Sequence, residues 1–232
     1  MIECTVCGEQ NDDLAVTCKS CKGYLQTKVE NLDLFSTMWG LLESPKRTFK
    51  RIVLSRRKNY VFFLSALVGV WALFTVFWGL NLGARFDNTF TLLATGSLAG
   101  LGVGVVGVLI DAVLLSVLVR FLGGKATLRN LFAVVSYASV PVIFTLIFVY
   151  PIKIAIFGQY LFDQNPSPMI INPGLYVALL AFDVAAVIWS ISLVVKGVSV
   201  GAGLTQKKSV ILGTILLLVV STAIIGLQLL GP

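Results

Sequence analysis

The chain has 232 residues, 57% of them hydrophobic and 12% charged, with a mean hydropathy of +0.91. That balance excludes an ordinary soluble domain and points to a membrane protein with a small polar head. The formal charge of +7 could suggest nucleic acid, but the basic residues sit beside apolar runs, as expected for contact with anionic lipid and for setting orientation, so a nucleic-acid partner is not expected.

Residues 1–25 form a cysteine unit. All 4 cysteines of the chain lie in "CTVCGEQNDDLAVTCKSC", as two Cys-x-x-Cys pairs, Cys4 and Cys7, then Cys18 and Cys21. Each pair makes a tight turn that aims two thiolates at one metal, and the loop between lets the pairs face each other, the pattern of a tetrahedral zinc site. Two disulfides, or redox-active pairs, form the competing reading. They would need an oxidising compartment or a thioredoxin-like unit, and neither fits the surrounding sequence. With four protein ligands the zinc is structural, since no coordination position stays open for water or substrate. So short a segment depends on the metal for its fold. Residues 1–30 also lack the basic start and apolar run of a cleaved signal peptide, so the head is expected to stay in the cytosol.

Residues 26–33 ("QTKVENLD") read as a polar linker. Residues 34–58 then read as interfacial amphipathic helices. Leu34, Phe35, Met38, Trp39, Leu41 and Leu42 fall at helical spacing, and Ser44-Pro45 signals a second helix, with serine at the N-cap and proline at N1. In that helix Phe49, Ile52 and Val53 share one face, while Lys46, Arg47, Lys50 and Arg51 crowd the other. Such an element is expected to lie at the membrane interface with its apolar side toward lipid.

Residues 59–232 carry five apolar runs long enough to span a bilayer, which takes about 20 helical residues: 60–81, 96–122, 131–157, 174–197 and 209–230. They do not alternate as barrel strands would. The expected fold is an all-α transmembrane bundle of five helices behind an interfacial helix region and a small zinc ribbon. Lysine and arginine placement orients it. Arg56, Arg57 and Lys58, then Arg120, Lys125 and Arg129, then Lys196, Lys207 and Lys208 fall on one side; Arg85 and Lys153 are the exceptions on the other. The N-terminus is therefore expected inside and the C-terminus outside.

Three features interrupt the apolar spans. Gly96, Gly100 and Gly104 recur every four residues, allowing close approach of another helix, either within the chain or at a homo-oligomer seam; pore lining is a third reading. Asp111 and Asp183 each lie mid-span, where a carboxylate costs about 2.5–3.5 kcal/mol, so both are expected to face the bundle interior or water. Two readings stay open for them: a proton- or ion-handling pair at similar depth on parallel spans, or acids that are protonated or bonded to a serine, threonine, tyrosine or lysine of a neighbouring span. Pro141, in "SYASVP", predicts a kink in the third span, with Ser136, Tyr137 and Ser139 available to freed backbone groups. The chain has no histidine, no Gly-x-Ser-x-Gly elbow and no phosphate loop, so enzymatic chemistry has no candidate residues.

The entry segment "LLESPKRTFKRIV" with Pro45 and Phe49, the five spans and the "SYASVP" stretch together resemble the Yip1 family of polytopic membrane proteins over residues 33–230. Eukaryotic members act in early secretory traffic and bind small GTPases through cytosolic N-terminal regions. A zinc ribbon at that position resembles prokaryotic members, some of which act as accessory partners of membrane transporters, including ABC-type exporters. The resemblance therefore implies a non-enzymatic scaffold or accessory subunit in a prokaryotic plasma membrane, docking a membrane or cytosolic protein. The alternative is a small channel, transporter or lipid-moving protein that uses Asp111 and Asp183.

Overall fold

The structure, a computed structural model, describes residues 1–26 and 31–230, with only the backbone for part of the last helix. Half of the expected linker, residues 27–30, lies outside the described residues. The head is built on a two-residue antiparallel ladder, β1 (Ile2–Glu3) against β2 (Gln10–Asn11), with Ile2 opposite Asn11. The rest is helical.

Helices α1 (Leu34–Glu43) and α2 (Pro45–Leu54) meet at Ser44, which ends one helix and starts the next. Asp33 caps α1 through the Ser36 N–H, while Ser44 makes no side-chain cap and relies on Pro45 at N1. The apolar face of α2 does not turn to lipid as the sequence suggests. Phe49, Ile52 and Val53 are buried in the same cluster as Leu131, Val134, Leu193 and Val198. Lipid and a protein interior are equally apolar, so amphipathicity cannot say which of them the face will meet. Lys46, Arg47 and Arg51 remain exposed, and Lys50 is partly so. The outward apolar stripe belongs instead to α1, where Phe35, Trp39 and Leu42 are exposed.

Four helical stretches among the described residues are long and apolar enough to cross a membrane. They are α3 (Val61–Gly79), α4 (Thr89–Phe121), a broken helix from Leu128 to Phe162, and α9 (Pro173–Ala202). The fifth apolar run coincides with α10 (Gln206–Leu230). Helix α4 starts earlier than its apolar run because Asn88 caps it, accepting from the Thr91 N–H at 2.9 Å.

The broken helix consists of α5 (Leu128–Ala138), α6 (Val140–Phe144), a π-turn over Thr145–Val149, α7 (Tyr150–Phe157) and a closing 3-10 turn over Gly158–Phe162. Pro141 falls at the first break, as expected. The π-turn precedes a second proline, Pro151, and there the Tyr150 N–H reaches back to the Thr145 carbonyl. Of the three polar residues before Pro141, Ser139 bonds the carbonyl of Val135. The other two pin the third span to the first: Ser136 Oγ meets Ser65 Oγ at 2.9 Å, and Tyr137 Oη donates to the Asn59 carbonyl at 2.7 Å. A short helix, α8 (Pro168–Ile171), precedes α9.

The basic loops gather at one end of the bundle. Arg129 donates to the Arg56 carbonyl at 2.6 Å, Lys208 to that of Leu122 at 2.6 Å, and the Lys125 N–H to that of Ala202 at 3.2 Å. This end also holds α1 and α2.

The glycine stripe packs inside the chain. A Cβ on Gly69 of α3 would overlap the Gly100 carbonyl and the Gly104 backbone of α4, and one on Gly100 would sit 2.6 Å from Val70 Cα. Backbone therefore lies against backbone, an arrangement that only glycine allows. Gly102 and Gly107 face open space. Replacing Gly69 or Gly104 by leucine should destabilise the bundle by more than about 3 kcal/mol, because rigid backbone rather than a flexible side chain must move. Gly102→Leu should stay within about 0.5 kcal/mol of the parent. Unfolding of the purified protein by a denaturing detergent in mixed micelles reads both, and equal loss in all three variants would refute this packing.

Candidate functional site

The head brings its four cysteines together. The Sγ atoms of Cys4, Cys7, Cys18 and Cys21 all lie within 4.8 Å of one another, with Cys4 to Cys21 and Cys7 to Cys18 at 3.6 Å. Sulfurs about 2.3 Å from a shared tetrahedral metal stand at nearly this spacing. Two matching turns aim them. In the first, Gly8 N–H donates to the Cys4 carbonyl at 2.8 Å and Cys4 N–H to Glu9; in the second, Lys22 N–H donates to Cys18 at 3.1 Å and Cys18 N–H to Gly23. Gly8 has φ +71°, and Lys22 occupies the equivalent left-handed position at φ 60°, which a lysine adopts less readily than glycine.

Backbone N–H groups of Val6 and Cys7 lower the Cys4 thiol below its usual pKa. At Cys18, burial works to raise the pKa, but donors from the Cys21 and Ser20 backbone and from Asn11 bring it down to about 6. The donors favour thiolate, the form a metal binds. Asn11, which the cysteine spacing does not single out, is buried at the centre of the head. Its side-chain amide donates to the Glu9 carbonyl at 2.7 Å and to Cys18 Sγ at 3.5 Å, and its oxygen accepts from Lys19 N–H at 2.9 Å. Its only signal in the sequence is a polar residue in the loop between the pairs. Leu14 packs against the cluster that holds the apolar face of α2, so the head rests on the amphipathic helices.

In the membrane-spanning part the two aspartates go separate ways. Asp183, on α9, forms a salt bridge with Lys153 of α7, and their side chains are 16% and 5% exposed. The Lys153 ammonium also stands 5.2 Å from the centre of the Tyr150 ring. Of the partners considered for the acids, a lysine from a neighbouring span is the one found. Charge placement alone groups Lys153 with the outer-side residues, yet a single lysine within the apolar part of that run is itself the signal for a partner. Asp111, by contrast, is exposed on α4, among outward-facing Leu109, Ile110, Val113 and Leu114. It makes no hydrogen bond or salt bridge among the described residues, and the structure does not bring it to Asp183. The inward orientation expected from insertion cost fails here because at this depth the inner face of α4 is taken by Val108, Ala112 and Leu115.

Around the Lys153–Asp183 pair lies a cavity of about 390 Å³ between α3, α7, α9 and α10, with walls that include Trp71, Trp78, Tyr150, Tyr176 and Leu217. Trp78 Nε1 donates to Tyr176 Oη at 2.9 Å across it. Trp71 Nε1 and Asp183 Oδ1 are buried and find no partner among the described residues, as does Ser190 Oγ further along α9.

No curated protein and no solved structure matches the chain. The sequence model of the Yip1 domain matches residues 39–227, a stretch that begins within α1, ends within α10 and leaves the cysteine head outside. With most of its length inside that match, the chain belongs to the Yip1 family of membrane proteins.

Proposed function

We propose that this chain is a non-enzymatic scaffold or accessory subunit that docks a partner membrane protein, a transporter such as an ABC-type exporter. The observation that carries this reading is Asp111, a carboxylate on the outward apolar face of α4 with no partner among the described residues. Such a group is costly against lipid. A partner helix bearing a lysine, arginine or hydroxyl at the same depth would satisfy it, while the open face of Gly107, one turn before Asp111, admits that helix closely.

The head then serves as a second contact. Four cysteine sulfurs at tetrahedral spacing support structural zinc. The basic end of the bundle supports five spans with the N-terminus cytoplasmic and the C-terminus outside, in a prokaryotic plasma membrane, with exposed Lys46, Arg47 and Arg51 over anionic lipid.

Elemental analysis of the purified protein should find one zinc per chain. The double variant Cys4→Ser/Cys7→Ser should insert normally but lose both the metal and the co-purifying partner; retention of either counts against the docking role of the head. Asp111→Leu should leave bundle stability within about 0.5 kcal/mol of the parent or above it, since the site is exposed within its own chain. Crosslinking of that variant in the native membrane, read by mass spectrometry, should no longer capture the partner. An unchanged crosslink pattern would refute docking through α4.

A further inference from the structure

The cavity at the Lys153–Asp183 pair is unexplained by partner docking. Its volume, about 390 Å³, lies within the range of small-molecule sites, about 300–1,000 Å³. Val184, Ile188 and Leu217 line it and are also exposed on the outer surface of the bundle. The cavity therefore opens sideways, toward the bilayer, and its occupant comes from the lipid phase.

Two of the three buried side-chain polar atoms without a partner among the described residues belong to residues of this one cavity wall. Trp71 Nε1 offers a donor. Asp183 Oδ1 offers an acceptor, because its other oxygen is engaged by Lys153. A hydroxyl is the simplest group that answers both, accepting from the indole while donating to the carboxylate. Both atoms are buried, so a ligand hydroxyl reaches them only when the Trp71 and Asp183 side chains turn toward the cavity. Asp183 lies ten residues into α9, about 15 Å along the helix, which places the pair well inside the apolar layer. A phosphate or zwitterionic head at that depth is disfavoured, and a neutral hydroxyl is tolerated once both its bonds are made.

We infer that this cavity binds a neutral membrane lipid whose head is a bare hydroxyl, a long-chain alcohol or diacylglycerol, with the hydroxyl between Trp71 and Asp183 and the chain leaving between α9 and α10. The site does not involve Asp111, so its failure and that of the docking reading are separable.

Full-length protein in phosphatidylcholine nanodiscs, photolabelled with a diazirine-bearing hexadecanol, provides the test. Labelling should saturate, map to α3, α7 or α9, and be competed by hexadecanol but not by hexadecane. Trp71→Phe, which keeps the ring but removes the N–H, should weaken apparent affinity about threefold to tenfold, the worth of one buried hydrogen bond. Val187→Trp should fill the cavity and abolish labelling with the ion pair untouched, and Asp111→Leu should leave it unchanged. Thermal unfolding confirms that each variant is folded; if Trp71→Phe does not fold, Val187→Trp and the competitors decide. Equal competition by hexadecane would show a merely greasy cavity, and labelling that is unsaturable or insensitive to Val187→Trp would overturn the assignment.

Discussion

A lysine and an aspartate that face each other within the apolar layer set the terms for the interior of this bundle. Neither charge is tolerable there alone, and together they approach neutrality, so α7 and α9 must present Lys153 and Asp183 to each other. The backbone accommodates that demand. The π-turn at Thr145–Val149 adds a residue to the helical repeat and rotates the remainder of the helix by about 100°. Pro151, just past the π-turn, has no N–H to lose. Leu146 and Val149 of the same turn, with Tyr150 just beyond it, pack with Phe74 and Phe157 in the aromatic cluster beside the cavity.

The opposite half is held by contacts of another kind. Backbone lies on backbone where Gly69 crosses Gly100 and Gly104, and a serine pair, Ser65 with Ser136, joins the first span to the third. Helices in lipid gain little from burying apolar surface, so close van der Waals contact and a few internal hydrogen bonds must supply the association energy. The buried face of α2 extends this half: the Phe49 ring lies where a Cβ on Gly197 would go, and the cysteine head rests on the same cluster through Leu14.

What is legible in the chain divides along the same physical line. The cysteine spacing, the apolar runs, the Pro141 break and the glycine stripe are local patterns whose geometry follows from a few adjacent residues. The Lys153–Asp183 pair joins positions 30 residues apart, and the face that carries Lys153 is set by a preceding π-turn that no simple period reveals. Asn11 shows the same limit on a small scale, since its value lies in three bonds formed only once the two cysteine turns have met. The destination of the Phe49, Ile52 and Val53 face is hidden for a chemical reason: a protein interior and a lipid tail make the same demand on a side chain.

Asp111 and Asp183 look alike in sequence, one carboxylate per apolar run, and the insertion cost predicts an inward position for both. The fold resolves them oppositely. Asp183 is neutralised within the chain, and the Trp71 indole N–H beside it remains unmatched among the described residues. Asp111 is left outward because at its depth the inner face of α4 is occupied by Val108, Ala112 and Leu115, and turning the acid inward would draw that packed face out of the core. A helix has one face for each neighbour. Keeping a carboxylate on the remaining face of α4 therefore makes sense if that face also meets protein, which is why the same energetic argument that explains an internal ion pair at Asp183 argues for a second protein at Asp111.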